Sequence, residues 1–284
     1  MKLLVTGAAG ALGRAIVATC EQAGDQVVAG DRAALDVTSR DAVLAAVTTV
    51  QPDAVVNCAA WTDVDGCESD PDRAWAANAL AVRHLAEACG LAGARLCHIS
   101  TDYVFDGRLD RAYTEWDRTE PVSTYGRSKL GGETEARLLG AAATIVRTSW
   151  LCSREGGNFV KTMLRLLGER DHVDVVDDQR GCPTFTDDLA VVIRTLVAGH
   201  RAGTFHVTNQ GPTTWFRLAR DTAELAGLDP ARLRPIATAD LQPPRPATRP
   251  ANSVLDNAAL RLSGIPLLAD HHEPLERLVK ELTA

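Results

Sequence analysis

The chain has 284 residues, 45% hydrophobic and 24% charged, which excludes wholesale disorder and leaves one large domain or two unequal ones open. A net charge of −7 without any Lys/Arg block argues against nucleic acid, and no apolar run nears the roughly 20 residues of a membrane helix. Seven cysteines without a C-x-x-C pair, and an N-terminus lacking signal-peptide features, point to a cytoplasmic protein with reduced thiols.

The first half alternates short apolar runs with helical patterns. Strands are expected at residues 2–6, 26–30, 53–57 and 95–99, and helices at 12–23, 39–50 and 74–90. Ser39 is a weakly supported cap, because no glutamate stands three residues on. Several strands are apolar on consecutive positions, as in a parallel sheet covered on both faces. Beyond Trp150 the rhythm loosens, with helices expected at 158–167, 187–198 and 213–226 and strands at 173–176 and 203–207. The stretch Gln242-Pro243-Pro244-Arg245-Pro246 suits neither a helix nor a central strand. The expected architecture is a Rossmann-type α/β fold, a doubly wound parallel sheet followed by a smaller C-terminal α/β substrate domain. Residues 1–147 form the nucleotide-binding part, to which later segments return, and 148–284 are mainly the second domain.

Directly after the first strand, Gly7, Gly10 and Gly13 form G-x-x-G-x-x-G. Gly7 permits a tight turn, Gly10 lets backbone amides approach a pyrophosphate, and Gly13 allows close helix–strand packing. Phosphates would sit at a helix N-terminus. Asp31, at the end of the second strand, suits the ribose of NAD, whereas Arg32 beside it suits the 2′-phosphate of NADP. NADH and NADPH both stay open.

Tyr125-Gly126-Arg127-Ser128-Lys129 puts a tyrosine and a lysine four residues apart, on one helix face. With three tyrosines and only four lysines in the chain, chance yields such a spacing in roughly 4% of comparable sequences. A tyrosine that acts as the acid toward a reduced carbonyl needs its phenolate stabilised, by roughly 4 kcal/mol for a pKa near 7. The ammonium and the positively charged cofactor can supply this. Ser100-Thr101-Asp102 lies just beyond a strand end, where open α/β sheets bind ligands, and Thr101 can hydrogen-bond the substrate or the phenol.

These residues resemble the extended short-chain dehydrogenase/reductases. More narrowly, the chain is similar to the dTDP-4-dehydrorhamnose reductase family through T-G-A-A-G-A-L-G at 6–13, P-D-A-V-V-N-C-A-A-W-T-D-V-D at 52–65, S-T-D-Y-V-F-D-G at 100–107 and E-P-V-S-T-Y-G-R-S-K-L-G-G-E at 120–133. The later matches are R-T-S-W at 147–150, G-N-F-V-K-T-M at 157–163, D-Q-R-G-C-P-T at 178–184, T-T-W at 213–215 and R-P-A-N-S at 249–253. The resemblance implies NAD(P)H-dependent reduction of the C4 ketone of dTDP-4-dehydro-6-deoxy-L-mannose to dTDP-L-rhamnose. Tyr125 would be the proton donor, Lys129 would hold the nicotinamide ribose, and Thr101 would tune the hydrogen bond. Gly10, Ala11 and Leu12 would meet the pyrophosphate, Asp31 the ribose, and Asp36 and Val37 the adenine. Ala60, Trp61, Thr62 and Ile99 would line the nicotinamide. Thr101, Asp102, Trp150, Asn158, Arg249 and Asn252 would contact the sugar nucleotide.

Tyr103 stands where sugar-nucleotide dehydratases carry a glutamate, which favours simple reduction. Ala15 replaces a glutamate through which some members share Mg²⁺ between two copies, so no metal and a monomer or weak homodimer are expected. His271-His272-Glu273 reads as a solvated helix start, since adjacent histidines point to different helix faces. Cys58 reads as a small buried residue, and the 243–250 stretch as a linker or a substrate loop. Two alternatives remain: reduction of another dTDP-4-keto-6-deoxy sugar, and a non-catalytic NADP-binding subunit.

Overall fold

The computed structural model describes residues 1–284. In chain order the first half comprises β1 (Lys2–Thr6), α1 (Ala11–Gln22), β2 (Gln26–Gly30), α2 (Arg40–Val50), β3 (Ala54–Asn57), α3 (Val64–Ser69), α4 (Pro71–Trp75), α5 (Ala81–Ala92), β4 (Arg95–Thr101), α6 (Thr124–Arg137) and β5 (Ala143–Thr148). The second half comprises β6 (Leu151–Cys152), α7 (Phe159–Glu169), β7 (Val173–Val176), β8 (Arg180–Gly181), β9 (Thr184–Phe185), α8 (Thr186–Ala198), β10 (Gly203–His206), β11 (Thr213–Thr214), α9 (Trp215–Leu225), β12 (Leu233–Ile236), α10 (Ala258–Leu262) and α11 (His272–Thr283).

Six strands form one parallel sheet in the order β10-β5-β4-β3-β1-β2. Both faces are covered, which is why Leu3, Leu4 and Val5 are all buried in consecutive positions. Leu3 and Val5 face α1 and α8 through Leu12, Ile16, Leu189 and Ile193. Leu4 and Val55 face the other layer, with Val43, Leu85 and Ile145. A separate core joins Val160, Phe185, Leu218 and Leu275, and another beside it joins Met163, Leu167, Val173 and Leu233.

Several elements differ from expectation. The helix expected at 74–90 is broken by a π-helical turn at Ala76–Leu80 between α4 and α5. Strand β5 was not foreseen, although its six residues, Ala143-Thr-Ile-Val-Arg-Thr, are all buried. Nor did the sequence reading foresee α3 or α10. Ser39 does cap α2, its Oγ accepting from the Ala42 amide. No glutamate is needed, since a single hydroxyl satisfies one of the free amides of the first turn.

Candidate active site

β1 lies between β2 and β3, so the chain leaves Thr6 at the point where strand order reverses. There Gly7 adopts φ 65°, and a Cβ on it would sit 2.6 Å from the Ala59 nitrogen. At Gly13 a Cβ would lie 2.3 Å from the Gly7 carbonyl oxygen. Gly10 is the N-cap of α1, with no side-chain cap and no acid in the first turn. The first amides of α1 are therefore left to a ligand, and the helix dipole favours an anion.

A cleft of about 550 Å³ opens from this turn, lined by Gly7, Gly10, Asp31, Arg32, Asp36 and Val37, with Ala60 and Trp61 opposite. Asp31 spends one oxygen, Oδ1, on the amides of Ala33 and Ala34. The Thr38 hydroxyl, 2.7 Å from Asp36 Oδ1, holds that carboxyl below its ordinary range. Trp61 is fixed by Asn78, which accepts from its amide at 2.8 Å and donates to its carbonyl at 3.0 Å. Asn78 sits on the π-helical turn and also donates to Ser128 of α6. It escaped sequence reading, since nothing marks an asparagine in an apolar helix as a latch between distant segments.

A second compartment of about 520 Å³ shares Gly7, Gly10 and Ala60 with the first. It is also lined by Ala11, Leu12, Gly13, Thr62 and Ile99, and by Thr101, Asp102, Tyr125, Lys129 and Trp150. The Ser123 hydroxyl caps α6, placing Tyr125 and Lys129 one turn apart. Gly126 lets the helix press on the 102–104 turn, where a Cβ would fall 2.2 Å from the Tyr103 carbonyl oxygen. Tyr125 thereby packs edge-on against Tyr103, with ring centroids 5.7 Å apart. Lys129 Nζ donates to the Ile99 carbonyl at 2.6 Å. Burial pushes the Lys129 pKa down to about 8, against the pull of Glu133. Burial also raises the Tyr125 phenol above its ordinary value, with the Thr101 hydroxyl working against that rise. An acid poised near neutrality needs a lowered phenol; in the protein by itself desolvation wins.

Thr101 donates to Asp102 Oδ1 at 2.9 Å, and burial raises the Asp102 carboxyl to about 6. Asp102 Oδ2 and Thr148 Oγ1 are buried without hydrogen-bond partners, and both residues line this compartment. Such orphaned atoms suit a polar ligand. In the sequence Thr148 is one of four residues in R-T-S-W and carries no signal of its own. Trp150 carries a left-handed backbone, φ 46°, and stacks on Trp215 at 3.5 Å. The indole lies against Gly181, where a Cβ would be only 2.4 Å away. One turn past Lys129, Glu133 forms a buried pair with Arg147 at 2.8 Å and accepts from Ser100 at 2.6 Å. Burial works against that carboxylate, but Arg147 outweighs it and keeps Glu133 ionised.

A third compartment of about 620 Å³ adjoins the second at Tyr103 and Trp215 and is bordered by Gln179, Arg245 and Arg249. Arg249 makes two contacts with Asp65, at 2.8 and 3.0 Å. Asn158 and Asn252 line none of these three compartments. Asn158 caps α7 and donates to the Ser153 carbonyl, while Asn252 donates to the carbonyls of Leu109 and Arg111. Their amides hold backbone, not an open cleft.

The model of the RmlD substrate binding domain matches residues 1–284. The chain belongs to that family. It is 47% identical over 268 residues to a dTDP-4-dehydrorhamnose reductase of Streptomyces griseus, covering 92% of this chain and 88% of that one. It is 45% identical over 263 residues to a dTDP-4-keto-6-deoxy-D-glucose reductase of Streptomyces niveus, covering 92% and 91%. A crystal structure of dTDP-4-dehydrorhamnose reductase from Bacillus anthracis in complex with NADP superposes with a TM-score of 0.94 at 37% identity, covering 99% of both chains. Within the family member described here, no helix is long and apolar enough to cross a membrane, and all seven cysteines are free.

Proposed function

We propose that the chain reduces the C4 ketone of dTDP-4-dehydro-6-deoxy-L-mannose with NAD(P)H, giving dTDP-L-rhamnose. The observation that carries this reading is the meeting of Thr101, Tyr125 and Lys129 on one cleft continuous with the glycine turn. The coenzyme's fit rests on the uncapped start of α1 and on Gly7 and Gly13, where a Cβ would strike neighbouring backbone and force the turn out of shape. Ala11 and Leu12 would hold its pyrophosphate, Asp31 and Arg32 its adenosine ribose, and Asp36 and Val37 its adenine. Ala60, Trp61, Thr62 and Ile99 would flank the nicotinamide, with Lys129 at the ribose.

Bound there, the coenzyme supplies hydride to the ketone carbon. Tyr125 Oη gives its proton to the ketone oxygen, and the product is a secondary alcohol. The raised phenol is fully protonated at neutral pH, as an acid must be before it acts. The Lys129 ammonium and the Thr101 hydroxyl support the phenolate left behind. Asp102 and Trp150 border the sugar, and the compartment beside Arg249 takes the nucleotide. In this reading residues 1–147 chiefly hold the coenzyme and 148–284 the sugar nucleotide, in a cytoplasmic monomer or weak homodimer.

The test is the absorbance of reduced nicotinamide with purified protein, dTDP-4-dehydrorhamnose, and NADPH or NADH in separate cuvettes. Oxidation coupled to dTDP-L-rhamnose supports the reading and ranks the coenzymes. A second reading, reduction of another dTDP-4-keto-6-deoxy sugar, is favoured by the 45% identity to the Streptomyces niveus enzyme. Turnover only with such a sugar would select it. Coenzyme binding without turnover of any keto sugar would leave a non-catalytic dinucleotide-binding subunit.

A further inference from the structure

Successive residues on a helix project about 100° apart, which should separate His271 from His272. The structure brings them together. His271 precedes α11, and the two rings lie against each other at a tilt, with centroids 4.1 Å apart and planes 31° from parallel. Both Nδ1 atoms turn toward Asp270 Oδ1, at 2.6 Å from His272 and 3.9 Å from His271. His271 Nδ1 is also 3.2 Å from the Gln210 carbonyl oxygen. With Nδ1 donating to these acceptors, each ring presents a free Nε2 on the opposite edge. There Asp221, reaching from α9, has Oδ2 3.6 Å from His272 Nε2.

A second observation points to a ligand. His271 is only 2% exposed, and its Nε2 is buried with no hydrogen-bond partner. Leaving such an atom unpaired is costly unless something fills the site. One ligand atom each from Asp221, His271 and His272 falls within 4.8 Å of the others. The 3.6 Å separation is close to the roughly 3.4 Å edge of a tetrahedron with metal–ligand bonds of about 2.05 Å.

We propose that Asp221, His271 and His272 bind one zinc ion, which ties α9 to the start of α11. Two imidazoles and one carboxylate form a borderline donor set suited to zinc, with a fourth position left for water. Asp270 and the Gln210 carbonyl orient the two rings from behind, as outer-shell acceptors do. His272 and Asp221 are partly exposed, so an ion has a path in.

The test uses the full-length, tag-free protein after metal stripping, titrated with Co²⁺ for its visible ligand-field bands and with Zn²⁺ against a chromophoric chelator. One equivalent per chain is expected, with tetrahedral Co²⁺ bands that Zn²⁺ displaces. His272→Ala and Asp221→Ala should each weaken binding at least tenfold, and Asp270→Asn about tenfold. Zn²⁺ should raise the melting temperature of the wild type and not of His272→Ala, while both melt alike in chelator. No stoichiometric binding, binding that survives both substitutions, or thiolate-to-cobalt charge-transfer bands would each overturn the proposal.

Discussion

Lys129 Nζ is moored to the Ile99 carbonyl, 2.6 Å away at the end of β4. Its ammonium thus belongs to the wall of the cleft, and burial brings its pKa down to about 8. A lysine whose pKa is depressed loses its charge as pH rises through that value. If reduction needs the charge, kcat/KM falls on the alkaline side of about 8 and levels off below it. A pH profile of coenzyme oxidation should show this limb in the wild type. In Lys129→Met the rate should be low and the limb missing.

Tyr125→Phe removes the proposed proton donor and little else, since the ring still packs on Tyr103. Turnover should drop by about 10²–10⁴-fold. Coenzyme affinity, read from quenching of tryptophan fluorescence, should stay within about twofold. An unchanged rate would strip Tyr125 of its role.

Gly181→Ala forces a methyl group into the Trp150 indole, and the stacked pair with Trp215 has little room to retreat. Overpacking of this kind costs about 1–3 kcal/mol. The sugar-nucleotide KM should rise while the coenzyme dissociation constant holds. Thermal melting and steady-state kinetics on the same preparation separate the two effects.

Asp102 carries a carboxyl raised by burial from the ordinary 3.8 to about 6. The folded protein therefore binds this proton more tightly than the unfolded chain does, and stability falls as pH rises from 3.8 through 6. Fully developed, the loss is about 3 kcal/mol at 1.36 kcal/mol per pKa unit. Asp102→Asn should melt at a higher temperature than the wild type at pH 8, and the difference should shrink toward pH 4. Equal differences at both pH values would show that the carboxylate's charge is not the cause.

Arg32 is exposed on the rim of the coenzyme cleft, beside an Asp31 that still has one oxygen free. Arg32→Ala should weaken NADPH binding about tenfold and leave NADH unchanged, because only the former has a 2′-phosphate for the guanidinium to pair with. Titration of both reduced coenzymes against wild type and variant checks this.

The parts of the site written in short spacings were legible in sequence. The glycine turn and the Tyr125–Lys129 step each lie within one local element, so residue order alone sets their geometry. Asn78 and Thr148 were not, because their meaning comes from partners or cavities assembled by distant strands. Asn158 and Asn252 show the converse: a hydrogen-bonding amide inside a family motif serves backbone as readily as ligand. The phenol failed as a sequence inference for a different reason. A lysine four residues away can be counted, whereas full desolvation of the ring depends on everything packed around it. The two histidines stand together although the first already has a helical backbone, φ −64° and ψ −20°, because an angular increment per residue places Cβ atoms and not the rings beyond them.

The outermost strand of the main sheet, β10, comes from residues 203–206 and pairs with β5 along Thr144 to Arg147. Helix α8, which covers α1, also comes from the later sequence. A fragment ending at residue 147 would thus expose an unpaired strand edge and an uncovered apolar helix. Such a fragment should aggregate when expressed alone, and the coenzyme half cannot be borrowed as a free-standing cassette. Its edge strand is synthesised last among the sheet's members, so the emerging chain, with β5 already able to pair with β4, must keep the outer edge of β5 unpaired until some 60 further residues have left the ribosome.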